Sequence, residues 1–195
     1  FAEEKIEKRL NISLEELDLT HIKHKSTDEL SNGQKQRLAI AGIYAMAPNI
    51  FLFDESTTDL DAKGKLDFLE ILKKIKAKGS TIILAEHDSE YLENLADKKV
   101  VLKNGQISKE DKIEKIDTSL FYNKKESFYL PWIRLEEVRF GYDGKTDVLK
   151  GISLEIRKGE FVAIIGDNGS GKTTLFKLII GVLKAQKGRI LINGL

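Results

Sequence analysis

A glycine-rich segment between an apolar strand and a helix constrains the fold of this chain most strongly. Phe161 to Ile165 form a short apolar run of the length of a buried strand. The segment Gly166-Asp167-Asn168-Gly169-Ser170-Gly171-Lys172-Thr173 follows directly, and helical periodicity resumes over residues 173–183. The pattern Gly-x4-Gly-Lys-Thr in a strand, loop and helix context is typical of a phosphate-binding loop. We therefore predict an α/β fold with a phosphate site at this loop.

The residue types of the loop suit the phosphates of a nucleotide. Glycines let successive N–H groups converge on phosphate oxygens, and the helix N-terminus adds partial positive charge. Lys172 would neutralise the β- and γ-phosphates, and the Thr173 hydroxyl would bind Mg²⁺. A dinucleotide fingerprint fits less well, because no third glycine follows Gly171 at the required spacing. The expected nucleotide-binding residues here are Gly166, Asn168, Gly169, Ser170, Gly171, Lys172, Thr173 and Thr174.

Two adjacent carboxylates follow another apolar strand, Ile50 to Phe53. Ligand sites of open α/β sheets lie at the carboxyl ends of the strands. Asp54 would there hold Mg²⁺ through water, and Glu55 would act as the general base on the attacking water. Considered alone, the same two residues also fit a helix cap and a surface charge.

The rest of the chain alternates helices and strands before it changes character. Helices are predicted at 34–47 and 65–78, strands at 50–53 and 81–84, and a hairpin at the Asn104-Gly105 turn. This alternation favours a mainly parallel sheet with flanking helices. Residues 108–127 are charged and read as a linker, or alternatively as an amphipathic helix. Residues 133–142 and 148–156 alternate like antiparallel strands, which predicts a smaller antiparallel β subdomain.

Composition excludes several classes of function. The chain has no cysteine, so disulfides, thiolate metal sites and a cysteine nucleophile are excluded. Its 32 lysines and arginines nearly balance its 31 acidic residues, so bulk charge gives no reason to expect a nucleic acid partner. No apolar run approaches the ~18 residues of a membrane span. The chain starts without methionine, and we expect it to be a piece of a longer protein.

Four further segments resemble motifs of the ATP-binding-cassette (ABC) ATPases. Residues 30–37, Leu-Ser-Asn-Gly-Gln-Lys-Gln-Arg, resemble the family signature, and residues 56–61 resemble the loop after the magnesium aspartate. His87 is similar in position to the switch histidine, and Tyr142 to the aromatic residue that stacks on adenine. The resemblance covers nearly the whole chain apart from the linker and implies a P-loop NTPase-type sheet, with ATP and Mg²⁺ as cofactors.

The resemblance also implies roles for these residues. Ser31, Gly33 and Gln34 would face a γ-phosphate, His87 would be catalytic with Glu55, and Asp61 would lie in a loop at a dimer interface. Considered singly, Ser31 fits a helix cap, His87 a surface or core histidine, and Tyr142 a packed strand aromatic. Two positions depart from the family pattern. Asn32 replaces a glycine, so the signature is expected to be weaker, and Ser56 replaces a proline.

Residues 38–46 and 59–65 resemble the ATPases of cobalt-type and energy-coupling-factor importers. This implies an ATPase that drives uptake of metal ions or vitamins, located peripherally at the cytoplasmic face of the cell membrane. The implied partners are a second cassette and transmembrane transporter subunits, with no nucleic acid expected. The alternatives are a non-transport tandem protein that acts on ribosomes and a catalytically silent regulatory cassette.

The order of the motifs is reversed relative to one family domain, in which the phosphate loop precedes the signature. We interpret residues 1–108 as the C-terminal half of one cassette, 109–130 as a linker, and 131–195 as the N-terminal half of the next. A circular permutant is the alternative. In a tandem protein Lys172 and Thr173 would share a nucleotide with Ser31 and Gly33, while Asp54, Glu55 and His87 would serve a phosphate loop upstream.

The isolated chain would then complete neither hydrolytic site. Its two halves could still pack as one pseudo-domain, because each supplies strands that the other's sheet lacks. Proximity of Lys172 to Asp54 would indicate a single sheet, and proximity to Ser31 a cassette dimer.

Overall fold

Two separate units make up the computed structural model, which describes residues 2–58, 60–87, 90–92, 95–112 and 131–194. The first unit comprises Phe1–Asn49 and Thr57–Ile75, and the second comprises Ile50–Ser56 and Lys76–Leu195. The first is helical and the second contains all the described strands. The strand that ends at Asp54 belongs to the second unit. The division of the chain into parts of two cassettes at residue 108 stays a prediction.

The first unit contains α1 (Ala2–Glu16), α2 (Asn32–Ala45) and most of α3 (Ala62–Ala77). Helix α1 packs against α2, and the buried Ser13 hydroxyl donates a hydrogen bond to Ala41 O at 2.6 Å. The helix predicted at residues 65–78 is present as α3, and its buried face consists of Phe68, Ile71, Leu72 and Ile75. Leu66 on the same helix is 63% exposed.

The described residues of the second unit include eight strands: β1 (Ile50–Asp54), β2 (Thr81–Glu86), β3 (Lys98–Lys103), β4 (Gln106–Lys112), β5 (Ile133–Phe140), β6 (Leu149–Ile156), β7 (Phe161–Ile165) and β8 (Lys187–Ile192). The larger sheet has the order β1-β2-β7-β3-β4 and is parallel except for β4. The smaller, antiparallel sheet has the order β6-β5-β8. Helix α4 (Lys172–Ile179) and residues of both sheets form one apolar core.

Strands from both halves of the sequence share the larger sheet. Strand β2 pairs in parallel with β1 on one side and with β7 on the other, where Leu84 lies opposite Ala163. The phosphate-loop strand and the carboxylate strand therefore belong to one sheet with a single strand between them. Their carboxyl ends lie at the same edge, which is where a ligand site of such a sheet is expected.

The predicted α/β class is confirmed, with a mainly parallel sheet plus an antiparallel one. The predicted hairpin is also confirmed, since β3 and β4 pair in an antiparallel manner. Asn104 and Gly105 form the turn between them, with left-handed φ angles of 51° and 77°. Two element boundaries differ from those predicted from the sequence. Strand β4 continues to Lys112, so residues 109–112 of the predicted linker are strand, and the remainder of that linker lies outside the described residues. Helix α4 ends at Ile179, just before Gly181 with φ 78°.

Candidate nucleotide-binding site

The glycine-rich loop joins the carboxyl end of β7 to the N-terminus of α4. Gly169 and Gly171 have φ of 80° and 108°, conformations that glycine adopts at little cost. Position 166 has no room for a side chain, because a Cβ there would lie 2.3 Å from Leu102 O. The tight path turns the loop around the first residue of α4, Lys172.

The Lys172 ammonium lies inside the curve of the loop. Its side chain is only 3% exposed, and Nζ donates hydrogen bonds to Gly166 O at 2.7 Å and to Asp167 O at 3.2 Å. The same Nζ lies 3.1 Å from Glu55 Oε1. A buried ammonium is stable only when it is paired and hydrogen-bonded, and these three oxygens meet that condition. The loop thus holds one positive charge at a defined position.

Glu55 follows β1 in a left-handed conformation. Its φ is 49°, and its N–H donates to Ala85 O at 2.9 Å, which continues the β1–β2 pairing by one residue. Such a conformation in a non-glycine residue costs of the order of 1–3 kcal/mol and is concentrated at functional sites. Asp54 is exposed and Glu55 half-buried. The structure therefore brings the predicted general base to the predicted phosphate-binding lysine.

Ser170 fits an anionic ligand. It is 5% exposed, and its Oγ has no hydrogen-bond partner among the described residues. A buried hydroxyl without a partner costs about 1–3 kcal/mol, so a ligand oxygen at this position would be stabilised. The loop's glycines, the buried ammonium and this hydroxyl together fit a nucleotide phosphate.

Thr173 and Asp54 are both exposed. A hydroxyl and a carboxylate are oxygen ligands of the kind that Mg²⁺ prefers when phosphates and waters complete its shell. Among the described residues no cluster of three or more histidine, aspartate or glutamate side chains could hold a metal alone. The donor set fits a magnesium ion that arrives with a nucleotide rather than one held by the protein alone.

Tyr142 follows β5 and remains 60% exposed. Its ring packs edge-on against Phe140, with centroids 5.1 Å apart and an interplanar angle of 88°. Its hydroxyl lies 3.2 Å from Thr174 Oγ1 on α4, at hydrogen-bond distance. The ring is thus fixed while much of it stays accessible, as stacking on a base requires.

Several of the remaining predicted site residues have local structural roles. Ser31 caps α2: its Oγ accepts from Gln34 N at 3.3 Å, and Gln34 Oε1 accepts from Ser31 N at 3.0 Å. Asp61 Oδ1 accepts from Gly64 N at 2.7 Å, and His87 is exposed directly after β2. Ser31, Gly33, Gln34 and Asp61 belong to the helical unit, and their part in nucleotide binding stays a prediction.

Two residues outside the predicted site, Gly105 and Gln186, form hydrogen bonds with its backbone. Gly105 N donates to Ser170 O at 3.1 Å, so the hairpin turn supports the phosphate loop. Gln186 forms two hydrogen bonds with Gly141, directly before Tyr142. The Asn-Gly turn was visible in the sequence, but its contact was not. Nothing in the local pattern around Gln186 indicates its partner.

Comparison with known proteins agrees with this geometry. The ABC transporter family model matches residues 1–58 and 149–195, more than half of the chain. A putative ABC transporter ATP-binding protein of Treponema denticola is 34% identical over 98% of this chain and 43% of its own length. One of Methanosarcina mazei is 31% identical over 100% of this chain and 41% of its own length. The chain therefore belongs to the ABC transporter family of ATP-binding cassettes, and it spans less than half the length of these relatives.

Solved structures show the same fold. The chain resembles cbiO1 of Clostridium perfringens, described as part of the ABC transporter complex cbiONQ, with a TM-score of 0.53 and 35% identity, covering 56% of this chain and 44% of that one. It also resembles the ADP conformation of MJ1267, an ATP-binding cassette of an ABC transporter, with a TM-score of 0.53 and 28% identity, covering 55% and 42%. No helix in the described part of the chain is long and apolar enough to cross a membrane.

Proposed function

We propose that this chain is part of an ATP-binding and ATP-hydrolysing protein that powers an ABC-type membrane importer. The observation that carries the proposal is the buried Lys172 ammonium, held inside the phosphate loop by Gly166 O and Asp167 O in a member of this family. The likeness to cbiO1, described as part of an ABC transporter complex, supports a transport role. Import of a metal ion or vitamin rests on the resemblance of residues 38–46 and 59–65 to importer ATPases. The protein would act peripherally at the cytoplasmic face of the membrane, through transmembrane subunits.

Each residue of the site has a distinct task. Lys172, Ser170 and the loop amides bind the phosphates, and Tyr142 stacks on the adenine. Thr173 and Asp54 would each help to hold a Mg²⁺ ion, at different nucleotides in a tandem protein, and Mg²⁺ would supply charge stabilisation on the phosphate oxygens. Glu55 accepts a proton from the attacking water, and His87 donates a hydrogen bond toward the γ-phosphate.

A second cassette would complete the hydrolytic sites. The Treponema and Methanosarcina relatives are more than twice as long as this chain, yet they align with nearly all of it, which supports a tandem arrangement with this order of motifs. In such a protein Ser31, Gly33 and Gln34 face the nucleotide held by Lys172, and Asp61 lies at the interface. In the longer protein β2 would pair with the phosphate-loop strand of its own cassette. In this chain β7, a strand of the same kind from the next cassette, pairs with β2.

Turnover by the 195-residue chain tests this assignment. We expect wild type and Glu55→Gln to bind ATP without measurable hydrolysis, because each lacks a facing cassette. Glu70→Gln, an exposed carboxylate on α3, is the matched control and should behave like wild type. Hydrolysis by wild type that Glu55→Gln abolishes would contradict the tandem assignment and establish one permuted cassette. Absence of ATP binding would contradict the function itself.

The transport role has a separate test. Affinity purification of the longer protein from detergent-solubilised cells should recover membrane-embedded subunits in fixed stoichiometry. Recovery of ribosomes in their place would contradict a transporter and support the ribosome-acting alternative.

A further inference from the structure

Gln186 holds the backbone that carries Tyr142. Its Oε1 accepts a hydrogen bond from Gly141 N at 2.9 Å, and its Nε2 donates one to Gly141 O at 2.8 Å. Its own backbone N–H donates to Arg139 O at 3.0 Å. The side-chain amide therefore pairs with both polar groups of one residue, and their polarity fixes which amide atom faces which. Tyr142 follows immediately in the chain.

The loop after Gly141 is closed in other ways as well. Gly141 is buried, and a Cβ there would lie 2.2 Å from Thr146 O, so the two sides of the loop nearly touch. Asp143 Oδ1 accepts from Lys145 N at 2.9 Å and from Thr146 N at 2.8 Å. These backbone donors, Thr146 first, lower the pKa of Asp143, so the carboxylate form that closes the loop is favoured. Little freedom is left for the backbone of Tyr142.

The side chain of Tyr142 is held at its other end. Its hydroxyl contacts Thr174 Oγ1 at 3.2 Å, and Thr174 is itself 5% exposed and therefore fixed in α4. Gln186 thus holds the backbone next to Tyr142, and Thr174 holds the tyrosine hydroxyl. A ring held at both ends loses little conformational entropy when a flat ligand stacks on it, which favours binding.

We propose that Gln186 is a positioning residue for base recognition: by clamping Gly141 it holds Tyr142 as a ready-made platform for the adenine ring. The inference rests on the proposed ATP-binding function and adds a residue that touches no part of the nucleotide. Binding of the phosphates is independent of Gln186, because the phosphate loop has its own supports at Gly105 and Lys172. The base-dependent part of the affinity is the part that Gln186 controls.

The test compares a ligand that has a base with one that lacks it. Gln186→Met keeps the length of the side chain and removes both hydrogen bonds. We expect the Kd for ATP to rise about tenfold, the equivalent of about 1.4 kcal/mol, while the Kd for inorganic tripolyphosphate changes less than about twofold. Gln106→Met, at an exposed glutamine of β4, is the matched control and should change neither value. Gln186→Glu keeps only the acceptor and should give a smaller change in the ratio of the two values.

A double variant separates positioning from general stability. In a Tyr142→Ala background, Gln186→Met should cause no additional loss of ATP affinity, because the platform is already absent. An unchanged ratio of ATP to tripolyphosphate affinity in both Gln186 variants would overturn the inference, as would a full additional loss in the Tyr142→Ala background. Failure of the wild-type protein to bind ATP would contradict the proposed function as well, so the two failures are distinguishable.

Discussion

Single residues in this chain combine a local structural task with a chemical one. Lys172 donates hydrogen bonds to two loop carbonyls and contacts Glu55, so the same ammonium shapes the loop and supplies the positive charge of the proposed phosphate site. Ser31 caps a helix and is also the serine of the predicted signature. From the sequence, Ser31 could be a helix cap or a phosphate-binding residue. The hydrogen bonds show the helix cap directly. Substitution can separate the two tasks.

Ser31 allows such a separation. Ser31→Ala removes the acceptor for Gln34 N and should lower the free energy of unfolding by about 1 kcal/mol in chemical denaturation. Ser31→Asp keeps a capping acceptor and should retain most of that stability. In the longer protein Ser31→Asp should nevertheless lose ATPase activity, since a carboxylate would repel the γ-phosphate. Full activity in Ser31→Asp would contradict a role of Ser31 at the nucleotide.

Among the elements, the turn of the β3–β4 hairpin could be predicted from the sequence, but its contact with the phosphate loop could not. The Asn104-Gly105 pair indicated a tight turn, and both residues have the left-handed conformation that such turns require. That Gly105 donates to Ser170 O depends on tertiary packing between segments distant in sequence. The same holds for Gln186, whose partner Gly141 lies 45 residues away. Local patterns predict elements well, whereas the contacts that support a site depend on how those elements meet.

Gly105→Ala tests the contribution of this hairpin to the site. An added Cβ would lie 1.9 Å from Val148 O, on a residue with φ of 77°. Gly79→Ala is the matched control: its φ is 81°, but no atom lies within 4 Å of the added Cβ. We expect Gly79→Ala to cost about 1–2 kcal/mol of unfolding free energy and leave ATP affinity unchanged. Gly105→Ala should cost more and weaken ATP binding, because the phosphate loop loses a support; equal effects of both variants would contradict this.

At the scale of the molecule, the sheet joins strands whose motifs are in reversed order along the chain. The alternation of helices and strands indicated a parallel sheet, and the apolar run of β2 indicated that both its faces are covered. The sequence could not decide the neighbours of β2, because its pairing with β7 is a long-range contact. The pairing places Glu55 beside Lys172, whereas the proposed tandem arrangement assigns these two residues to different nucleotides.

Calorimetric titration of the purified chain with Mg-ATP measures whether the loop from Gly166 to Thr173 binds ATP through Lys172. Wild type should bind one ATP per chain, and Lys172→Ala should weaken binding at least tenfold, the equivalent of about 1.4 kcal/mol. Lys184→Ala, at an exposed lysine of the same unit, should bind like wild type, with thermal unfolding confirming that all three proteins are folded. Equal ATP affinity of folded Lys172→Ala and wild type would show that Lys172 does not bind the phosphates of ATP.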